Sequence, residues 1–106
     1  MIAFIEGKLS HIEPTYVIIN IHGVGYQIKI SLNTYSKIKD LEQVKLYTYL
    51  HIKEDAHTLF GFFDPDEKEL FLSLISINGV GPSTGLMITS SLTVNEIKQA
   101  IVAQYF

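Results

Sequence analysis

The stretch Phe60-Gly61-Phe62-Phe63-Asp64-Pro65-Asp66-Glu67 marks a change of periodicity in this 106-residue sequence. Before it, apolar and polar residues tend to alternate, which is typical of half-buried β-strands. After it, apolar residues recur at helical spacing. Asp64 as N-cap, Pro65 in the first helical position and Glu67 two residues later form a strong signal for the start of a helix. The sequence therefore predicts an α+β fold, with strands over residues 1–63 and helices over residues 64–106.

Five strands are predicted ahead of Asp64. Their ranges are 2–9, 16–21, 24–30, 44–52 and 58–63. His22-Gly23 predicts a tight turn between the second and third strands, because Gly readily takes a positive φ. A short helix over residues 31–38, capped by Ser31 or Asn33, separates the third strand from the fourth. Five short strands interrupted by a helix at this point are typical of a small Greek-key barrel of the OB type.

Three helices are predicted after residue 63. The first carries an apolar stripe made of Leu70, Phe71, Leu74, Ile75 and Ile77. Asn78-Gly79-Val80-Gly81-Pro82 interrupts the helical pattern, with Gly as the C-cap of the first helix and Pro82 in the first turn of the second. The second helix runs to about Ser91. Thr93-Val94-Asn95-Glu96 is a capping box that opens a third helix through about residue 104.

The composition narrows the class of protein. A hydrophobic fraction of 47% and a charged fraction of 18% exclude a disordered chain. The absence of Cys excludes disulfides, thiolate metal sites and a Cys nucleophile. Apolar runs are too short to span a membrane, and no basic region precedes the first one, so we expect a cytoplasmic protein. All eight cations are Lys, against eleven acids, and this net charge of −3 by itself argues against a nucleic-acid partner.

The turn Gly79-Val80-Gly81-Pro82 is the first candidate binding site. Between two helices it is expected to leave the amides of Val80, Gly81, Ser83 and Thr84 free at a positive helix end. Small residues allow an anion to approach the backbone closely. Such a site would hold a sugar-phosphate chain without reading its bases. The alternative is a plain turn between two helices.

The segment Lys53-Glu54-Asp55-Ala56 is the second candidate, because it places two adjacent acids between two predicted strands. These acids form either an ordinary polar turn or a negative pin that repels phosphates. With His51 and His57 they also offer a third hypothesis, a metal-dependent hydrolase. Ligands on a hairpin tip without Cys have no fixed geometry, so we expect no metal site and no cofactor. A last acidic group, made of Asp64, Asp66, Glu67 and Glu69, is interpreted as acids that stabilise a helix N-terminus.

Motifs for catalysis are missing from the sequence. There is no nucleotide-binding P-loop and no Gly-x-Ser-x-Gly. The segment 79–85 differs by one residue from the dinucleotide fingerprint and follows a predicted helix instead of a strand. We therefore expect no catalytic site. Tyr47 and Tyr49 share one face of the predicted fourth strand, which keeps open an alternative, a single-stranded nucleic-acid binder that stacks bases on exposed aromatic rings.

Five motifs occur along the chain in the same order as in the N-terminal part of RuvA proteins, which this sequence therefore resembles. Members of the RuvA family are the Holliday-junction-binding subunit of the bacterial branch-migration motor. The motifs are Met1-Ile2-Ala3-Phe4-Ile5-Glu6-Gly7, His22-Gly23-Val24-Gly25-Tyr26, Lys53-Glu54-Asp55-Ala56-His57-Thr58-Leu59-Phe60-Gly61-Phe62, Glu69-Leu70-Phe71 and Asn78-Gly79-Val80-Gly81-Pro82. The resemblance implies an OB-type barrel domain over residues 1–63. It also implies a helical domain over residues 64–106 that contains the first helix-hairpin-helix.

The resemblance also implies a set of roles and partners. Glu54 and Asp55 would form the acidic pin at the centre of a four-way DNA junction. Gly79, Val80 and Gly81, with the amides of Ser83 and Thr84, would hold the duplex arms by their phosphates. The assembly would be a homotetramer, or two tetramers enclosing the junction, without a catalytic site of its own. The RuvB ATPase would supply the motor, and the RuvC resolvase would be a further partner.

Two departures from the family pattern bear on these expectations. The family typically has Lys directly after Gly-Val-Gly-Pro, where this chain has Ser83, so one cation is lost from the hairpin. The family continues with a second helix-hairpin-helix and a C-terminal domain that contacts RuvB, whereas this sequence stops at the apolar residues 101–106. We therefore expect a fragment of a longer protein that binds junctions weakly and does not recruit RuvB.

Overall fold

The computed structural model describes residues 2–104, in which strands give way to helices at Asp64 as predicted. The elements before Asp64 are β1 (Phe4–Ile12), β2 (Tyr16–Ile21), β3 (Val24–Ile30), α1 (Leu32–Ile38), β4 (Gln43–Lys53) and β5 (Ala56–Phe62). Three helices follow, α2 (Pro65–Ile75), α3 (Pro82–Ser90) and α4 (Val94–Gln104). Met1 of the opening motif, and Tyr105 and Phe106 of the apolar chain end, lie outside the described residues.

The five strands form a closed barrel in the order β1-β2-β3-β5-β4. All neighbouring pairs are antiparallel except β3 and β5, which pair in parallel from Ile28↔Leu59 to Ile30↔Gly61. Because the barrel closes, each strand pairs with a neighbour on both sides over part of its length. Its interior is a cluster of buried aliphatic side chains from every strand but β5 and from α1, namely Ile5, Val17, Ile19, Ile28, Ile30, Ile38, Val44 and Leu46. The prediction of an OB-type barrel followed by helices is confirmed.

The first strand differs in its bounds from the prediction, whereas the second has the predicted bounds. β1 begins at Phe4 and continues to Ile12, three residues beyond the predicted end, because its pairing with β2 resumes after an irregularity between Leu9 and His11. The β2–β3 turn follows the prediction. His22 and Gly23 take φ values of 51° and 88°, and the Asn20 side chain accepts a hydrogen bond from the Gly23 amide. Two positive φ values are those of a tight turn that follows the twist of its strands.

Helix α1 connects the barrel to the end of α3. Of the two predicted caps, Ser31 is the N-cap, since its side chain accepts a hydrogen bond from the Thr34 amide. The other, Asn33, instead donates from Nδ2 to the carbonyls of Thr89 and Leu92, at 2.7 and 2.6 Å. The Thr89 carbonyl belongs to the last turn of α3, and Leu92 follows two residues after the helix ends. Asn33 therefore anchors one end of α3 to the barrel.

Helix α2 packs on the outside of the barrel through Phe71, which is fully buried. The Phe71 ring lies 4.9 Å from the Phe62 ring and 5.5 Å from the Phe60 ring, measured between centroids. The Tyr49 ring meets it edge-on at 5.7 Å. Aromatic groups at these distances add to the gain from burying their area. The aromatic residues of β4 and β5 thus form the surface on which the helices rest.

A buried carboxylate also joins the helices to the barrel. Glu67 Oε1 accepts hydrogen bonds from the hydroxyls of Ser31 at 2.7 Å and Thr34 at 2.9 Å. The Thr34 hydroxyl oxygen in turn accepts from the Phe63 amide. The sequence suggested only a helix-end role for Glu67, but its side chain is 2% exposed and faces α1. This contact spans more than thirty residues of sequence and has no local signature.

The ends of the helices follow the predicted caps with one exception. Asp64 caps α2 by accepting from the Asp66 amide, and Thr93 and Glu96 form the capping box of α4. However, α2 ends at Ile75 with Ser76 as its C-cap, so the prediction of a Gly C-cap is wrong. Ile77 consequently lies beyond the apolar stripe and is 55% exposed. Within residues 2–104, none of the helices combines the length and the apolar character needed to cross a bilayer.

Candidate nucleic-acid interface

The β4–β5 hairpin extends beyond the body of the barrel. β4 pairs with β1 only as far as Tyr47, and the parallel pairing of β3 with β5 begins at Leu59. Beyond these points, residues 51–53 and 56–58 pair only with each other. Three residues of strand span roughly 10 Å. The turn at the end, Glu54-Asp55, therefore projects away from the barrel by about this distance.

Both acids of this turn are exposed, as predicted for a hairpin tip. Lys53 pairs with Ala56 in the strand register, so the turn consists of the two acids alone. Neither carboxylate forms an ion pair with a side chain of residues 2–104. Two unpaired charges at the end of a projecting ribbon repel any approaching anion. The preceding Ile52 is 62% exposed, so the ribbon itself is not covered by the rest of the chain.

The metal hypothesis requires His51, Glu54, Asp55 and His57 to converge, and they do not. Among the described residues, no three His, Asp or Glu side chains lie close enough together to hold a metal ion. His51 is partly buried, and its ring lies 6.2 Å from that of Tyr49. Its Nε2 atom is buried without a hydrogen-bond partner in the described part of the chain. The histidine thus faces the body of the protein while the acids face solvent.

The turn between α2 and α3 is built around Gly79, whose φ is +87°. A side chain would be strained in this backbone conformation, although nothing lies within 4 Å of where its Cβ would stand. The Val80 amide donates to the Ile77 carbonyl at 3.1 Å. The expectation that this amide is free is therefore wrong, because the turn uses it to close on itself.

Three of the four expected amides do remain available. Gly81 is the N-cap of α3, and the first intrahelical bond runs from the Gly85 amide to the Gly81 carbonyl. The amides of Gly81, Ser83 and Thr84 make no hydrogen bond to residues 2–104, and no side chain caps this end. All three residues are exposed, and Gly81 has open space around its Cα. An anion could therefore reach the positive end of α3 directly.

The hypothesis of a single-stranded nucleic-acid binder rests on the rings of Tyr47 and Tyr49, and both rings contact other side chains of the protein. Tyr49 packs between Phe71 of α2 and Phe60, whose ring is 6.4 Å away. Tyr47 is partly buried and lies under the Lys45 ammonium, 5.3 Å from its ring centroid. Base stacking needs an exposed ring face. On this face of β4, the Tyr49 ring therefore packs against α2.

The sequence did not reveal that Glu67 and Asn33 orient the helix hairpin. Glu67 holds the start of α2 against α1, and Asn33 holds the end of α3 to the same helix. Gly85 adds a close contact, since a Cβ there would lie 3.1 Å from Ile75 of α2. The sequence showed only that Glu67 is an acid in the third position of α2 and that Asn33 lies near the start of α1. Their partners are set by tertiary packing.

The barrel with its projecting acidic turn, followed by two helices joined through a Gly-rich turn, defines a class of OB-type proteins with a helix-hairpin-helix. Residues 1–61 match the model of the RuvA N-terminal domain. The chain belongs to the RuvA family.

Curated relatives agree with this assignment. A protein of Cytophaga hutchinsonii is 58% identical over 98% of this chain. Proteins of Amoebophilus asiaticus and Christiangramia forsetii are 47% and 49% identical over 96% and 98% of it. Each is named Holliday junction branch migration complex subunit RuvA. The chain spans about half the length of these relatives, between 52% and 54%.

Proposed function

We propose that this chain binds four-way DNA junctions through their sugar-phosphate backbones, independently of sequence. The observation that carries this proposal is the presence, on one chain, of two sites with opposite preference for anions. The amides of Gly81, Ser83 and Thr84 attract phosphate at the start of α3. The carboxylates of Glu54 and Asp55 repel it at the end of the β4–β5 hairpin. A ligand that satisfies both needs duplex arms and a centre where strands diverge.

The proposed assembly is a homotetramer with four-fold symmetry, or two tetramers that enclose the junction. A four-armed ligand matches a four-fold cyclic oligomer. Four copies of the acidic turn near the axis would keep phosphates apart, while four helix hairpins would hold one arm each. Four-fold avidity would compensate for weak attraction per subunit, which has a net charge of −3.

The role is that of a non-catalytic scaffold for branch migration in DNA recombination and repair in the bacterial cytoplasm. The names of the relatives support this role for the longer proteins. An ATPase of the RuvB type would drive migration, and a RuvC-type resolvase would act on the same junction. In this division of labour residues 1–63 form one domain, which assembles the tetramer, and residues 64–106 hold DNA. Gly79 shapes the turn, and Val80 contributes through the turn and not through its amide.

The first test compares a synthetic four-way junction with a linear duplex of the same arm sequence, in a competition gel shift. We expect the junction to compete better, because only the junction satisfies both sites. Equal affinity for the two ligands would overturn the proposal. The mass of the assembly, measured in solution with and without the junction, tests the tetramer separately.

The role of the acidic turn is tested by the double substitution Glu54→Gln, Asp55→Asn, which removes charge and keeps shape. We expect discrimination against linear duplex to weaken. Any loss of negative charge raises DNA binding in general, so the matched control is Asp40→Asn, Glu42→Gln, two exposed acids before β4. If the two double variants discriminate equally, the acidic turn has no special role.

The role of the helix hairpin is tested by Gly81→Leu. A side chain fits there without a clash, since φ at Gly81 is −83° and the space around it is open. The folded protein should tolerate the change, while the leucine obstructs the approach of a phosphate to the amides. Binding to any duplex should weaken, whereas Ser10→Leu, on the exposed side of β1, should leave it unchanged. Undiminished binding by the Gly81 variant would reject this role.

A further inference from the structure

Two adjoining grooves run along the outer surface of the barrel beside α3. The larger has a volume of about 480 Å³ and lies between the barrel and α3, with Ser83 among its lining residues. The smaller, of about 260 Å³, reaches His57 and Thr58 on the projecting part of β5. Gln27 and Lys29 of β3 line both grooves. Together they form a path, here called the β3 groove, from the start of α3 toward the base of the acidic hairpin.

The charge of the β3 groove differs from that of the protein as a whole. The chain has eleven acids and eight lysines. Nevertheless neither part of the groove is lined by an Asp or Glu, and Lys29 is its only Lys among the described residues. A path without carboxylates on a net acidic protein favours an anionic occupant.

Lys29 lies at the middle of this path, since it lines both grooves. Its neighbours Ile28 and Ile30 point into the barrel and are buried, so Lys29 lies on the outer face of β3. It stands opposite Tyr16 in the register of β2 with β3. It forms no ion pair with any residue between 2 and 104. Glu13, in the turn before Tyr16, is itself engaged by the Tyr16 hydroxyl and by His11.

We propose that the Lys29 ammonium binds a phosphate of the DNA strand that runs through the β3 groove, between the helix hairpin and the acidic turn. This inference rests on the proposed function. It adds Lys29 as a phosphate contact and specifies the path that the DNA strand takes across the barrel. Lys29 supplies a cation on the path that leaves Ser83, where the turn between α2 and α3 has no Lys. Gln27 and Thr58 offer neutral donors farther along. The backbone is therefore held at successive points and released before the carboxylates.

The other wall of the larger groove is apolar, with Leu86 and the 71% exposed Met87 on α3. Side chains of this kind can contact the deoxyribose rings of a strand whose phosphates face Lys29. The same wall would suit a protein partner or a second copy of this chain, but an unpaired Lys and the absence of acids favour DNA. The test below treats these protein occupants as outcomes.

The experiment compares Lys29→Gln with Lys8→Gln in fluorescence anisotropy titrations of a labelled four-way junction. Lys8 is exposed on β1 and lines neither groove, so the control carries the same change of charge. We expect Lys29→Gln to weaken junction binding. We also expect the slope of the logarithm of the binding constant against the logarithm of the salt concentration to become shallower by about one unit for each subunit engaged. One lost contact lowers the ratio of affinities at 50 and 200 mM salt by about 3.5-fold. Lys29→Arg should retain most of the binding.

The contact can be located with junctions in which single phosphates are replaced by neutral methylphosphonates. If Lys29 binds one of them, its replacement should weaken binding by the unmodified protein and by Lys8→Gln but not by Lys29→Gln. Additive losses at every position would overturn the inference, as would equal salt dependence for the two Gln variants. A Lys29→Gln protein with altered assembly mass and unaltered DNA affinity would assign the groove to a protein occupant. Failure of Gly81→Leu to affect binding would count against the proposed function and not against Lys29 alone.

Discussion

The barrel closes on itself, whereas the three helices that follow it depend on the barrel for one side of their core. The barrel has a continuous ladder of hydrogen bonds and eight buried aliphatic residues inside it. The helices bury Phe71 against Phe60 and Phe62, which are barrel residues. The two regions therefore differ in autonomy. A ligand site on the helices keeps its orientation only while the contact through Phe71, Glu67 and Asn33 persists.

The largest expected effect on this difference comes from Phe71→Ala. Loss of a fully buried aromatic side chain costs about 3–5 kcal/mol of unfolding free energy. We expect the helices to loosen while the barrel stays folded, since the barrel core does not include Phe71. Urea unfolding measures the total, and amide exchange at Ile19, Ile28 and Leu46 reports on the barrel. The next residue, Leu72, is partly exposed, and Leu72→Ala should cost much less.

If protection of these barrel amides falls together with that of the helices, the barrel is not autonomous and the comparison fails. This outcome is readable even in a variant that unfolds completely at room temperature, because loss of the barrel signals would then accompany loss of the helical signals.

A smaller effect is expected for Glu67→Ala. The substitution leaves the buried hydroxyls of Ser31 and Thr34 without their acceptor, which costs about 1–3 kcal/mol. Asp66→Ala, in the same first turn of α2, controls for the loss of a negative charge near the helix N-terminus. Thermal unfolding of the two variants compares them. Equal destabilisation would mean that Glu67 acts only on its own helix and does not connect the two regions.

Gly79→Ala and Gly81→Ala form a matched pair within the candidate interface. Neither Cβ would meet a neighbouring atom, but φ is +87° at Gly79 and −83° at Gly81. We expect Gly79→Ala to cost about 1 kcal/mol and Gly81→Ala to change stability by less than about 0.5 kcal/mol. Denaturant midpoints are sufficient to measure this difference. Similar costs at both positions would show that the backbone conformation of the turn does not limit its sequence.

The smallest effect concerns Glu13, at the β1–β2 turn. A hydrogen bond from the Tyr16 hydroxyl, and to a lesser degree His11, lowers the pKa of Glu13 below its ordinary value of 4.5. A lowered folded pKa means that the contribution to stability is present above pH 4.5 and is lost as the pH falls through the folded value. In Tyr16→Phe the pKa of Glu13, followed by NMR, should rise toward 4.5. An unchanged pKa would show that the Tyr16 hydroxyl does not hold the Glu13 carboxylate.

Much of the fold could be predicted because its turns and helix starts are defined by residues that are close together in the sequence. The His22-Gly23 turn, the Ser31 and Asp64 caps and the Thr93–Glu96 box are decided by residues within four positions of one another. The end of α2 was misplaced because several residues of the turn can end a helix. The last apolar residues gave no clear choice between helix and turn, and Ile77 lies in the turn.

The candidate site likewise contains parts that the sequence predicts and parts that depend on the tertiary structure. The acidic turn was predicted as an exposed hairpin tip because its charge lies in side chains that are visible in the sequence. The proposed phosphate site would consist of backbone amides, so which residues belong to it depends on the amides that the turn does not use in its own hydrogen bonds. The prediction included Val80, whose amide bonds to Ile77, and correctly included Gly81, Ser83 and Thr84 as free. Tyr47 and Tyr49 were placed on one strand face, but the sequence did not reveal that α2 packs against Tyr49.

By itself the sequence determined the succession of strands and helices along the chain, the N-terminal caps of α2 and α4, and the exposure of Glu54 and Asp55, because each depends on neighbours along the chain. The tertiary structure alone decided that the barrel closes through β3 and β5, that Glu67 bonds to α1, and that Lys29 lies between α3 and the acidic hairpin. These features join residues that lie far apart in the sequence. Their energy comes from burial and hydrogen bonding that arise only once the elements pack together, so no local pattern records them.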